Sequence, residues 1–227
     1  QKNGFAEADP TADVGGADAC RKIAILSSLA YGKFLNYEDI YTEGITKITT
    51  EDMKYAKKLN MAIKLLASSK RVGDTFSVLV APMLLSEEHP LCNVNDVFNA
   101  VFVRGNMLGD AMFYGSGAGK LPTASAVVAD VVDAAKHLHR NVVTRWDAGE
   151  LELIPNAEAE HRFFVRVQGR SEAQKEQIRE AFGSVEIVET EGLEDEFGFI
   201  TEVMTEGTYS KKAEAFPEII HMIRLAD

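Results

Sequence analysis

Cysteine and positive charge are both scarce in this 227-residue sequence, and each scarcity excludes something. Two cysteines, Cys20 and Cys92, each set among apolar neighbours, predict reduced thiols and a reducing, cytoplasmic compartment rather than a disulfide framework. Lys and Arg number 24 against 35 Asp and Glu, which leaves a net charge of −11 and a pI near 5.0. A surface that acidic repels phosphate backbones and anionic headgroups, so neither nucleic acid nor a membrane is expected as a partner. No apolar run approaches the roughly 20 residues needed to cross a bilayer, and Gln1–Phe5 carries no signal-peptide hydrophobic stretch. No Cys/His set has zinc-ligand spacing, so no metal site is expected, and the absence of a Gly-x-Ser-x-Gly elbow removes support for a hydrolase triad. What is present, 46% hydrophobic and 26% charged residues, suits a packed globular protein. The chain starts without Met and runs straight into a motif-like segment, which suggests a piece cut from something longer.

Charge and pattern divide the chain. His161–Asp227 carries 8 basic and 14 acidic residues, whereas the preceding 160 residues carry 16 and 21. Between them lies a polar stretch without apolar periodicity, so the expected organisation is a first domain over 1–146, a linker over 147–160 and a second domain over 161–227. In the first domain Asp18–Tyr31 reads as a helix closed by Gly32, and Ile23-Ala24-Ile25-Leu26 within it marks a helix buried on nearly every side. Thr49 caps a helix to about Leu59. Ala62–Leu66 and Phe76–Val80 read as a hairpin, Val97–Val103 and Ala111–Tyr114 as a second antiparallel pair, and Thr123 to about Leu138 as a long helix with Pro122 in its first turn. The tail reads βαββαβ, a ferredoxin-like split unit. The expected class is therefore α/β (α+β): a mostly antiparallel mixed sheet with helices on one face, followed by the ferredoxin-like module.

Two segments could carry chemistry. Glu7, Asp9, Asp13 and Asp18 crowd one short stretch followed by Lys22, and Asp18 and Lys22, four apart, share a helix face. The plain reading is an Asp N-cap with an exposed salt bridge. The alternative follows from the apolar surround of Lys22: burial lowers a lysine pKa and a neighbouring Asp raises it, and a lysine held between them can protonate a developing alkoxide. A calcium loop has the wrong spacing. The second segment, Tyr114-Gly115-Ser116-Gly117-Ala118-Gly119-Lys120, resembles a phosphate loop yet lacks the P-loop's first Gly and its Ser/Thr, and has Lys120 where the dinucleotide fingerprint needs its third Gly. It is either a glycine turn at the start of a helix, free to contact an anionic or polar ligand, or a close-packed turn with none.

Gly4-Phe5-Ala6-Glu7-Ala8-Asp9-Pro10, Asp13, Gly16, Asp18 and Lys22 together resemble the signature of the homoserine dehydrogenases. Glu43-Gly44-Ile45, Ile63-Lys64-Leu65, His89-Pro90-Leu91, Asn99-Ala100-Val101 and Gly117-Ala118-Gly119 through Pro122-Thr123-Ala124-Ser125-Ala126 follow in the family's order. The resemblance implies that Glu7 holds the substrate amino group, Asp13 lines the substrate pocket, Asp18 meets the substrate hydroxyl and Lys22 is the general acid–base. It also implies that Gly117, Ala118 and Gly119 lie against the nicotinamide end of NADP or NAD. The implied reaction is reduction of aspartate semialdehyde to homoserine, in threonine and methionine biosynthesis. The tail resembles an ACT domain, with threonine as a possible effector, although Val167-Gln168-Gly169-Arg170 lacks the Asp and Pro of the usual ligand corner. The family's nucleotide-binding half is absent here, so the chain alone is expected to bind the dinucleotide poorly and not to turn over. The valine flank of the Thr123–Leu138 helix is expected to be covered by a partner chain in a homo-oligomer, a dimer by resemblance. The competing reading is an amino-acid-sensing and dimerisation module without catalysis; an enzyme needs Lys22 and the glycine loop to converge on one pocket, and a sensor needs neither.

Overall fold

A computed structural model describes residues 11–141, 143 and 146–226. A single turn, α1 (Thr11–Val14), leads into α2 (Ala17–Tyr31). Then follow β1 (Tyr41–Thr42), α3 (Thr50–Lys58), β2 (Met61–Val72), β3 (Thr75–Ser86), β4 (Phe98–Gly105), β5 (Gly109–Ser116) and α4 (Lys120–Lys136). The tail adds β6 (Glu160–His161), β7 (Phe163–Gln168), α5 (Glu172–Phe182), β8 (Glu186–Val188), β9 (Glu196–Ile200), β10 (Met204–Thr205), α6 (Glu206–Ala213) and β11 (Ile219–Leu225). No helix among the described residues is long and apolar enough to cross a membrane.

The expected helix boundaries hold to within a few residues, but the first hairpin is longer than expected: β2 continues to Val72 and β3 to Ser86, beyond the expected ends at Leu66 and Val80. Gly32, with φ 71°, closes α2 by donating its N–H to Ser28 O, and Thr49 caps α3 in a reciprocal box with Asp52. Strands β2 and β3 pair antiparallel along their full length from Met61↔Ser86 to Val72↔Thr75. Helix α4 begins at Lys120, earlier than expected, because Pro122 lacks an N–H that the first turn does not use.

The tail strands run in the order β11-β7-β9-β8, all antiparallel, which is the ferredoxin-like order for a βαββαβ unit. They do not end a separate sheet. Strand β11 pairs parallel with β3 through Arg224↔Met83 and Leu225↔Leu84, so tail and first part share one mixed, mostly antiparallel sheet of seven strands. Alternation along β7 explains how both faces are covered. Phe163, Val165 and Val167 pack under Ile178 and Phe182 of α5 and Tyr209 of α6, whereas Phe164 faces Tyr55 and Ala56 of α3. A helix from the first part thus roofs the second face of the tail.

The polar 147–160 stretch is docked as well. Leu151 donates its N–H to Phe34 O and is buried in the core beneath α2, and Ile154 donates to Phe76 O. Here a few well-placed apolar residues replace the missing periodicity.

Candidate functional site

Helix α2 has one buried face and one bare one. Cys20 and Ala24 pack into the core with Phe76, Val78 and Val80 of β3, and on the same buried face Ser27 donates its hydroxyl to Ser69 of β2. One turn-periodic stripe along, Asp18, Lys22, Ile25 and Leu29 share the opposite face. Ile25 is 60% exposed and Leu29 56%. The helix expected to be buried on nearly every side is thus buried on one: a single sheet face covers only one side of a helix, and the described residues supply no second cover.

Lys22 follows that geometry. Its Nζ donates to Asp18 Oδ2 at 2.5 Å, with the lysine side chain 63% exposed. The apolar enclosure expected from sequence is not present, because its apolar neighbours Ile25 and Leu26 are themselves uncovered. Nor is Asp18 the N-cap. Gly16 holds that position with φ 82°, leaving Asp18 in the first turn, where its charge faces the positive end of the helix. Asp13 is exposed on α1, and its carbonyl accepts the Gly16 N–H at 3.2 Å. Glu7 lies outside the described residues.

Gly117, Ala118 and Gly119 join β5 to α4. Gly117 donates its N–H to Val97 O and presses against Asn99, whose side-chain nitrogen sits 1.4 Å from where a Cβ would be, so a side chain at 117 would displace Asn99. Gly119 is the N-cap of α4 and Thr123 donates back to its carbonyl at 3.1 Å. Among the described residues no hydrogen bond or ion pair joins this loop to Asp18 or Lys22. Asn99 gave no chemical signal of its own in the sequence; only the strand register, Asn99 opposite Gly115, brings it to the loop.

A buried ionic cluster, unforeseen from spacing, joins α3 to the tail sheet. Arg166 on β7 donates from Nη1 to Asp52 Oδ1 at 2.8 Å and from Nη2 to Glu196 Oε2 at 2.7 Å. His221 Nδ1 donates to the other Asp52 oxygen at 3.0 Å. Burial of Asp52 pushes its pKa up, but the hydrogen bonds from His221, Arg166 and the Thr49 N–H outweigh that and hold it at about 2. These partners lie as far as 169 residues apart in the chain, so no motif could reveal them. Among the described residues no group of His, Cys, Asp and Glu is arranged to hold a metal ion.

The family model described as homoserine dehydrogenase matches residues 1–132. The homoserine dehydrogenase of Neisseria gonorrhoeae is 41% identical over 180 residues, covering 76% of this chain and 41% of that protein. That of Mycobacterium bovis is 36% identical over 236 aligned positions, covering 95% and 54%. The crystal structure of a homoserine dehydrogenase from Thiobacillus denitrificans superposes with a TM-score of 0.87 at 32% identity, over 100% of this chain and 57% of the other. The chain spans about half the length of the relatives it matches. It belongs to the homoserine dehydrogenase family.

Proposed function

We propose that this chain supplies the substrate-binding and acid–base half of an NAD(P)-dependent homoserine dehydrogenase, which interconverts aspartate semialdehyde and homoserine. The observation that carries the reading is the family match over residues 1–132, which spans both the Lys22–Asp18 pair on the uncovered face of α2 and the glycine loop. In the reducing direction NADP or NAD, when bound in its reduced form, supplies the hydride that reaches the aldehyde carbon. Lys22 Nζ gives its proton to the carbonyl oxygen as the alkoxide develops, which leaves a neutral amine and a hydroxyl product. Asp18 orients the ammonium through its short hydrogen bond and stands beside the forming hydroxyl. Asp13 and Glu7 provide negative charge for the substrate ammonium. The glycine loop at 117–119, which lacks bulky side chains, suits close approach of the flat nicotinamide end of the cofactor. The bare stripe of Ile25 and Leu29 beside Lys22 supports an assembled site closed by further protein, which would exclude water from the proton transfer.

We also propose the division into a substrate domain over 1–146, a connection over 147–160 and an ACT-like module over 161–227, with an amino acid such as threonine as effector. The ferredoxin-like strand order favours this reading of the tail. A homo-oligomer, most simply a dimer, and a cytoplasmic setting complete the proposal.

The test joins this chain to a nucleotide-binding half of the family and measures homoserine oxidation. Lys22→Ala and Lys22→Arg should each lower kcat about 10²- to 10⁴-fold, the range for loss of a general acid–base group. Undiminished turnover in both variants would overturn the assignment.

A further inference from the structure

The loop that carries Asp13 and delivers Asp18 and Lys22 is seated on another segment of the chain. Ile45 donates its N–H to Val14 O at 2.8 Å. Gly44 lies so close beneath that a Cβ there would fall 2.2 Å from Val14 O and 2.7 Å from the Gly15 Cα, so only glycine allows the two backbones to touch. A Cβ at Gly16 would meet Thr42 Cγ2 at 3.1 Å. The start of α2 is thus registered against residues 42–45.

What fixes that seat comes from the tail. Strands β1 and β11 lie end to end along one edge of β3: Tyr41 and Thr42 pair with Leu79 and Val80, Arg224 and Leu225 with Met83 and Leu84. Arg224 reaches back across the junction. Its Nη1 donates to Glu43 Oε2 at 2.8 Å, while Nε and Nη2 grip the Glu206 carboxylate of α6 at 2.5 and 3.1 Å. Tyr41 Oη donates to the same Glu43 oxygen at 3.2 Å, and the guanidinium lies 5.1 Å from the Tyr41 ring centre. The Arg224 side chain is only 2% exposed, so its bidentate hold on Glu206 leaves one fixed direction for the bond to Glu43.

We propose that Glu43 and Arg224 are positioning residues for the reaction. The clamp Glu206–Arg224–Glu43 sets the height of the 42–45 seat, and through it the placement of Asp13, Asp18 and Lys22, so that displacement of β11 or α6 is felt at the acid–base pair. This rests on the reading of Lys22 given above. It also gives the tail a physical path to the site: an ion pair, a shared strand edge and a glycine contact.

The experiment uses Glu43→Gln, which keeps the shape and removes the charge, and Arg224→Lys, which keeps the charge and removes the fork. Hydrogen exchange on this chain should show amides 11–20 exchanging at least tenfold faster in both variants, with β7 and β9 unchanged. In the enzyme joined to a nucleotide-binding half, both should lower kcat about tenfold and raise the homoserine KM. Exchange at 11–20 equal to the unsubstituted chain, or faster equally throughout the molecule, would overturn the clamp even with Lys22→Ala inactive. Full turnover in Lys22→Ala would instead overturn the underlying reading, whatever the exchange pattern.

Discussion

The shared sheet and the β4–β5–α4 arm are both built from largely apolar sequence and end in opposite states. In the sheet, Phe163, Phe164, Phe197 and Phe199 are wholly or almost wholly buried, because α5 and α6 cover one face and α3 the other. In the arm, α4 has no buried residue: Val127, Val128 and Val131 are 58–63% exposed, and Phe113 on β5 is 68% exposed. Apolar periodicity marks a face that requires a cover without supplying one. The sheet finds its covers within the chain, whereas the arm presents an apolar surface of the kind that marks an interaction site. The bare stripe of α2 beside Lys22 belongs with the arm in this respect.

The contrast can be broken first at Arg166. Replacing it with Met leaves Glu196 buried without its cation and Asp52 held only by His221 and the Thr49 N–H, and should cost about 4–5 kcal/mol, toward the upper end for breaking a buried pair. Urea unfolding would measure this, and a loss under 1 kcal/mol would mean the cluster does not anchor α3 to the tail. The difference between the regions is sharpened by a matched pair of truncations. Phe199→Ala should cost about 3–4 kcal/mol as a core cavity opens, while Val128→Ala should stay within about 0.5 kcal/mol, since it leaves no cavity and favours the helix. Equal losses by thermal denaturation would show that the arm is covered in solution.

An effect smaller than either loss in the buried sheet concerns acid. Asp52 is held at about 2 in the folded chain against 3.8 for an ordinary Asp. Its contribution is therefore complete above about pH 5 and is lost as pH falls toward 2, on the order of 2 kcal/mol. Unfolding midpoints at pH 7, 5 and 3 should reveal it, and Asp52→Asn should flatten that part of the profile.

Local signals in the sequence carried far. Gly32 after an apolar helix, Thr49 before Glu51 and Asp52, and the turns between alternating strands each specify a few dihedral angles, so they act wherever they occur. The pairing of Asp18 with Lys22 was legible for the same reason: the two meet because helical pitch places i and i+4 together. The exposure of Lys22 was not legible, since Ile25 and Leu26 look the same whether or not something lies over them.

The sequence by itself thus determined the elements, their capping and turns, the membership of the family and the pairing of Asp18 with Lys22, all consequences of short-range geometry. Only the tertiary structure decided that β11 would join β3, that α3 would roof the tail, and that Arg224 would bridge Glu206 and Glu43. Those contacts join residues 18 to 181 positions apart, and side chains so distant are brought together by sheet register and close packing, which no local pattern encodes.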